Sequence, residues 1–93
     1  MLKTLEELIN IIRERKGSLP EKSYTSKLLK NKKLSIEKVK EEIAELIDSI
    51  EKNSNKIHEA ADVLFHLLVL LEANNVKIED VMDELKKRQK NKK

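Results

Sequence analysis

The chain has 93 residues, of which 40% are charged and 2% aromatic, with one glycine, one proline and no cysteine. This composition favours helices throughout, and it excludes a disulfide framework and a cysteine nucleophile. The longest apolar run, residues 63–71, is much shorter than the roughly 20 residues that a membrane span needs, so we expect no membrane partner, and the missing cysteines fit a cytoplasmic location.

The net charge of +3 is unevenly distributed along the chain. Residues 86–93 carry six positive charges, so the 85 residues before them carry a net charge of −3. A basic tail can bind nucleic acid, but one Tyr and one Phe leave almost nothing to stack on bases. We therefore predict a single all-α domain over residues 1–88 and a solvated basic tail over 89–93, with no nucleic-acid partner.

The N-terminal third of the chain predicts one clear helix and one ambiguous segment. Apolar residues at helical spacing predict the first helix over residues 4–16, and the Gly–Ser–Leu–Pro stretch at 17–20 ends it. Residues 21–33 fit a turn followed by a short helix.

Three further helices follow in the rest of the chain. The second is predicted to begin near Ser35, a residue suited to an N-cap, and to end at residues 53–55. The third covers residues 56–73 and ends where asparagine can adopt a left-handed conformation. The fourth covers residues 78–87. Short connections predict an antiparallel bundle of four to five helices, and a core this small favours completion by dimerisation.

The third helix is apolar on nearly all sides. Leu64, Leu67 and Leu71 form one stripe, which predicts a core seam, while Phe65 and Val69 lie on the opposite side. A helix of this kind is expected to be enclosed by protein.

Two carboxylates nevertheless project from this helix. Glu59 and Asp62 are one turn apart, and His66 lies on the same edge. Buried carboxylates are costly unless they are paired or bound to a metal. A salt bridge to a lysine would explain the acids equally well, and we interpret His66 as a hydrogen-bonded core residue rather than a ligand.

The preceding helix carries a second acidic group, Glu41, Glu42 and Glu45. If the two helices form an antiparallel hairpin, four or five carboxylates converge, and their mutual repulsion would raise their pKa values. Ligation by carboxylate oxygens favours Mg²⁺ or Mn²⁺ over Zn²⁺. A solvated acidic face would give the same pattern, so residue spacing alone leaves the metal site open.

Several blocks of sequence surround these acids. They are Glu14-Arg15-Lys16, Pro20-Glu21-x-Ser23-Tyr24-Thr25-x-x-Leu28-Leu29, Lys38-Val39-x-Glu41-Glu42-x-x-Glu45, Ala60-Ala61-Asp62-x-x-x-His66-Leu67-Leu68-Val69-Leu70-Leu71 and Glu79-Asp80-Val81-x-x-Glu84-Leu85-x-x-Arg88. Together they resemble the phosphoribosyl-ATP pyrophosphatases of histidine biosynthesis, which belong to the MazG-type all-α nucleotide pyrophosphohydrolases. The sequence departs from the family at Lys40, where glycine is usual, at His58, where a second acid is frequent, and by lacking a glycine between Leu29 and Ser35.

The resemblance implies Mg²⁺-dependent hydrolysis of phosphoribosyl-ATP to phosphoribosyl-AMP and pyrophosphate by a homodimer or a dimer of dimers. The alternatives are a house-cleaning nucleoside-triphosphate pyrophosphatase and a non-enzymatic helical interaction module. The candidate metal ligands are Glu42, Glu45, Glu59 and Asp62, and the candidate catalytic residues are Glu41, Glu42 and Glu45. The candidate substrate-binding residues are Arg13, Lys16, Tyr24 and Lys38.

Overall fold

A computed structural model describes residues 2–90 as five α-helices and one short 3₁₀ helix, with no β-strand in that range. The all-α prediction is confirmed. Of the predicted tail, residues 89 and 90 continue the last helix, and residues 91–93 lie outside the described part. None of the described helices is long and apolar enough to cross a membrane. The elements are α1 (Lys3–Arg15), the 3₁₀ helix (Pro20–Lys22), α2 (Tyr24–Leu29), α3 (Lys32–Lys52), α4 (Lys56–Ala73) and α5 (Ile78–Lys90).

The turn between α3 and α4 folds the two longest helices back on each other. Asn53 and Asn55 both adopt left-handed backbone conformations, with φ values of 55° and 52°. Asparagine reaches this region at lower cost than most residues, because its short side chain hydrogen-bonds locally. The break falls at the predicted residues, and α3 and α4 form an antiparallel hairpin.

Helix α3 begins earlier than the sequence predicted. Asn31 is the N-cap, since its side chain accepts a hydrogen bond from the Leu34 amide at 3.1 Å. Ser35 is therefore not a cap but a buried residue within the helix, where its hydroxyl donates to the Leu28 carbonyl at 2.5 Å. This hydrogen bond joins the end of α2 to the first turn of α3.

Helix α4 lies at the centre of the fold and contacts each of the other four helices. Its buried side carries Leu68 and Val69, which pack against Ile9 and Ile12 of α1 and Leu28 of α2. These five side chains form the core, so the core sits between α1, α2 and the second half of α4.

The predicted seam of α4 is not buried in the single chain. Leu64 is 51% exposed and Leu67 is 38% exposed. The sequence showed that both sides of α4 are apolar, but the single chain covers only the side that faces α1 and α2. On α3 a row of isoleucines is likewise exposed. We name this surface the α3–α4 apolar face; it consists of Ile43, Ile47, Ile50, Leu64 and Leu67.

Ionic contacts tie α5 to the rest of the fold. No residue of α5 is buried, although Ile78 packs partly against the core. The Arg13 guanidinium donates to both carboxylate oxygens of Glu79, at 3.0 and 2.6 Å, and its Nε donates to Glu72 at 3.0 Å. Lys16 binds the other oxygen of Glu72 at 3.3 Å. Arg13 therefore bridges α4 and α5, and its hydrogen bonds lower the pKa of Glu79 to about 2.

We predict that acid weakens the docking of α5 through Glu79. A carboxylate with a lowered pKa stabilises the fold above its ordinary value of 4.5, and that stabilisation is lost as the pH falls towards about 2. In Glu79→Gln, amide exchange in α5 should be faster than in the wild type at pH 6, and the two proteins should converge near pH 2. The matched control is Glu84→Gln, because the ion pair of Glu84 among the described residues is with Arg88 of the same helix. Equal exchange in the wild type and Glu79→Gln at pH 6 would contradict the prediction.

Candidate metal centre

The first acidic group lies on α3. One carboxylate oxygen from each of Glu41, Glu42 and Glu45 lies within 4.8 Å of the others. Glu42 is buried, with 5% exposure, while Glu41 and Glu45 are exposed. The i, i+3 and i, i+4 spacings on one helical edge produce this arrangement.

The second acidic group lies on α4. It includes His58, which the sequence did not lead us to assign to the site. Glu59, Asp62 and His58 also bring ligand atoms to within 4.8 Å of one another. The Nε2 of His58 lies 3.4 Å from a carboxylate oxygen of Asp62. The i, i+4 spacing of these two residues was the signal in the sequence that could have identified His58.

The hairpin brings the two acidic groups into each other's electrostatic field. Glu45 and Asp62 lie at about the same number of residues from the α3–α4 turn, Glu45 before it and Asp62 after it. The pKa of Glu45 is raised by the charge of Glu42, by partial desolvation and by the charges of Glu59 and Glu41. Acids of both helices therefore raise the pKa of Glu45, but the ligand atoms of α3 and of α4 form two separate groups, so the convergence of all four acids on one ion stays a prediction.

One oxygen of Glu59 has no hydrogen-bond partner within residues 2–90. Its Oε1 is buried and makes no hydrogen bond with any described residue. A buried anionic oxygen without a partner is costly, and binding to a cation removes that cost. The group on α4 adds the Asp62 carboxylate and a ring nitrogen of His58 as neighbouring ligand atoms, and carboxylate oxygens are ligands that a hard divalent ion prefers. The residues present therefore fit a divalent cation.

Lys38 borders the first acidic group. Its Nζ lies 3.3 Å from both carboxylate oxygens of Glu41 and 3.5 Å from Glu42. Desolvation opposes the charged form, but the hydrogen bond to Glu41 and the charges around it raise the pKa of Lys38. One ammonium group therefore offsets part of the negative charge on the α3 side.

Tyr24 and His66 lie beside the acids. The Tyr24 hydroxyl is 3.0 Å from Nε2 of His66, whose Nδ1 is 2.8 Å from the Asp62 carbonyl oxygen. His66 is buried and hydrogen-bonded, as predicted. Burial raises the pKa of Tyr24. The charge of Lys38 lowers this pKa, and the charges of Glu42, Glu41 and Asp62 raise it.

Arg13 and Lys16 are not brought to the acidic groups. Both bind Glu72, which lies about 15 Å further along α4 than Asp62 at the usual helical rise. Their assignment to substrate binding stays a prediction. Glu72 is, like Asp62, an acid within an apolar helix, and this was the signal for an internal ion pair.

Comparisons with known proteins agree with the resemblance seen in the sequence. A family model described as phosphoribosyl-ATP pyrophosphohydrolase matches residues 5–89. The phosphoribosyl-ATP pyrophosphatase of Methanococcoides burtonii is 39% identical over 92 residues, covering 94% of this chain and 93% of the relative. That of Metallosphaera sedula is 40% identical, covering 97% and 100%.

A longer relative aligns over only part of its length. The histidine biosynthesis bifunctional protein of Pyrococcus furiosus is 46% identical over 90 residues. The alignment covers 96% of this chain, and the chain spans 43% of that relative. No solved structure matches the chain.

We predict that Glu45→Gln stabilises the metal-free protein. Because the pKa of Glu45 is raised, its contribution to stability is fully present below the ordinary carboxyl pKa of 4.5 and is lost as the pH rises through the folded value. In EDTA at pH 7, the variant should unfold at a higher temperature than the wild type, and the difference should vanish at low pH. Glu51→Gln, at the exposed end of α3, is the control. A lower unfolding temperature for Glu45→Gln in EDTA would contradict the prediction.

Proposed function

Because the chain belongs to the phosphoribosyl-ATP pyrophosphohydrolase family, we propose that it hydrolyses phosphoribosyl-ATP to phosphoribosyl-AMP and pyrophosphate. The observation that carries the proposal is the pair of facing acidic groups with an unpartnered, buried Glu59 oxygen. Carboxylates that merely face solvent are hydrogen-bonded to water, so a solvated acidic surface does not account for a buried carboxylate oxygen without a partner.

We propose that Glu42, Glu45, Glu59 and Asp62 hold Mg²⁺, for which Mn²⁺ can substitute. Magnesium bound by few carboxylates retains positions for phosphate oxygens. When bound, the ion neutralises charge on the phosphates and makes water a better nucleophile. Support comes from the all-oxygen donor set and from the mutual repulsion that a cation would relieve.

The reaction is attack of water on the α-phosphorus. A P–O bond to water forms, the α–β anhydride bond breaks, and pyrophosphate leaves with the electron pair of that bond. Neither acidic group contains a Ser, Thr or Cys nucleophile, and in this proposal water attacks directly while the protein's residues bind, orient and transfer protons. Glu41 is exposed at the edge of the site and is the candidate to orient the water or accept its proton. Lys38 and Tyr24 border the same edge and are the candidates for substrate contact.

We further propose that a second copy of the chain covers the α3–α4 apolar face. The face runs along the two helices that carry the acidic groups, and five large apolar side chains on it are exposed. Contiguous exposed apolar patches mark interaction surfaces. A second copy packed there would also shield the acids from water, which strengthens their attraction for a cation.

We predict that Glu42→Gln reduces pyrophosphate release from phosphoribosyl-ATP by at least about 100-fold, since loss of a metal-site carboxylate exceeds the usual effect of an outer partner. Glu42 is buried, so retention of helicity is checked by circular dichroism. The control is Glu37→Gln, an exposed acid on the same helix, which should keep full activity. Full activity of Glu42→Gln would refute this site.

Two comparisons separate the proposed function from its alternatives. Faster turnover of ordinary nucleoside triphosphates than of phosphoribosyl-ATP would identify a house-cleaning pyrophosphatase instead. No Mg²⁺ binding at millimolar concentration by calorimetry, together with no turnover, would identify an interaction module.

We predict that Ile47→Lys dissociates the dimer. Ile47 is 54% exposed at the middle of the α3–α4 apolar face, and a buried lysine without a partner is costly. Sedimentation should show a dimer or dimer of dimers for the wild type and a monomer for the variant. Leu19→Lys, which changes an exposed apolar residue between α1 and α2, is the control and should leave the assembly unchanged. A monomeric wild type at micromolar concentration would contradict the proposal.

A further inference from the structure

The hydrogen bonds of His66 have a defined direction. Nδ1 of His66 lies 2.8 Å from the Asp62 carbonyl oxygen, which can only accept. Nδ1 therefore carries the proton, and in the neutral imidazole Nε2 is an acceptor. The Tyr24 hydroxyl, 3.0 Å from Nε2, must then donate its only proton to His66.

This direction determines what Tyr24 can offer to a ligand. A tyrosine hydroxyl has one proton and two acceptor lone pairs. With its proton committed to His66, the hydroxyl presents only lone pairs to the surroundings. Such an oxygen binds O–H and N–H groups and repels the oxygens of a phosphate.

The position of Tyr24 is also fixed by its neighbours. Its ring stacks on Phe65 with centroids 6.3 Å apart, and it meets the edge of His66 at 5.9 Å. His66 itself packs against Phe65 at 5.0 Å and is 7% exposed. Tyr24 remains 49% exposed, so the side chain is held on one side by Phe65 and His66 and is accessible to a ligand on the other.

We propose that His66 is a positioning residue that turns the Tyr24 hydroxyl into an acceptor for a donor group on the nucleoside part of the substrate. The donor is a hydroxyl of the ATP ribose or an N–H of its base, and Tyr24 makes no phosphate contact. The proposal rests on the proposed function for the identity of the substrate. In this proposal the acids and their cation bind the phosphates, and the Tyr24 hydroxyl contacts the nucleoside.

The direction of the hydrogen bond can be tested without activity. The ring nitrogens of neutral histidine differ in ¹⁵N chemical shift according to which one carries the proton, and the side-chain spectrum of the full chain at pH 8 resolves this. We expect the Nδ1–H tautomer for His66. An Nε2–H tautomer would overturn the proposal, because Tyr24 would then accept from His66 and keep a proton for a phosphate.

Steady-state kinetics test the contact with substrate. Tyr24→Phe should raise KM for phosphoribosyl-ATP about 10-fold, the equivalent of one hydrogen bond, with little change in kcat. Inhibition by inorganic pyrophosphate, which carries no nucleoside, should be unchanged in the variant. Weaker inhibition of Tyr24→Phe by pyrophosphate would show a phosphate contact and overturn the proposal.

Variants at His66 test its positioning role. His66→Gln retains an acceptor near the position of Nε2 and should restore a KM close to the wild-type value. His66→Met has no comparable acceptor, so its KM should resemble that of Tyr24→Phe, and the double variant Tyr24→Phe/His66→Met should be no worse than either single variant. Additive increases in KM would show that the two residues act separately, against the proposal.

Nucleotide competitors locate the donor. ATP, 2′-deoxy-ATP, 3′-deoxy-ATP and inosine triphosphate are compared as inhibitors of the wild type and Tyr24→Phe. The analogue that lacks the contacted group should inhibit both proteins equally, whereas the others should inhibit the variant less. Equal inhibition of both proteins by all four nucleotides would overturn the proposal. Absence of wild-type turnover would refute the proposed function, while the tautomer result would still stand on its own.

Discussion

Repulsion between carboxylates on facing helices is the constraint on which the rest of this small fold depends. The α3–α4 hairpin places two acidic groups in one electrostatic field and raises the pKa of Glu45. It also buries a Glu59 oxygen that has no partner in the described part of the chain. Folding has to supply enough packing elsewhere to hold them there, and the core between α1, α2 and α4 does so. A divalent cation bound at the proposed site would offset the cost of this arrangement and would link stability and function through the same atoms.

The acidic residues at the two ends of helix α4 have different partners. At its C-terminal end, Glu72 is buried but fully neutralised by Arg13 and Lys16, which are contributed by α1. At its N-terminal end, the only basic side chain that pairs with Asp62 among the described residues is the exposed His58. An acid with cations from the same chain serves to lock helices together, whereas an acid without them is available to a ligand. The contrast explains why only one end of the helix has the character of a binding site.

Much of the fold and of the candidate site could be predicted from the sequence, because the interactions that determine them are local. The helix pattern, the break at Asn53–Asn55 and the two acidic edges all follow from residue spacing within one or two helices. Non-local partners could not be predicted. Arg13 and Ser35 carry ordinary local signals, and only tertiary packing shows that one binds Glu72 and the other donates to Leu28. The Leu64 side of α4, predicted to be a core seam, is exposed in the single chain, because periodicity shows that a face is apolar but not which molecule covers it.

The left-handed turn at Asn53 and Asn55 has a consequence for how this protein can change over evolution. Exposed loop tips ordinarily accept inserted residues at little cost. Here the turn sets the register of α3 against α4, and each helical residue added or removed rotates the following side chains by about 100°. A single insertion could leave the bundle folded while carrying Glu59 and Asp62 away from Glu42 and Glu45. The length of this turn therefore determines how the two acidic groups face each other, although neither asparagine belongs to either group.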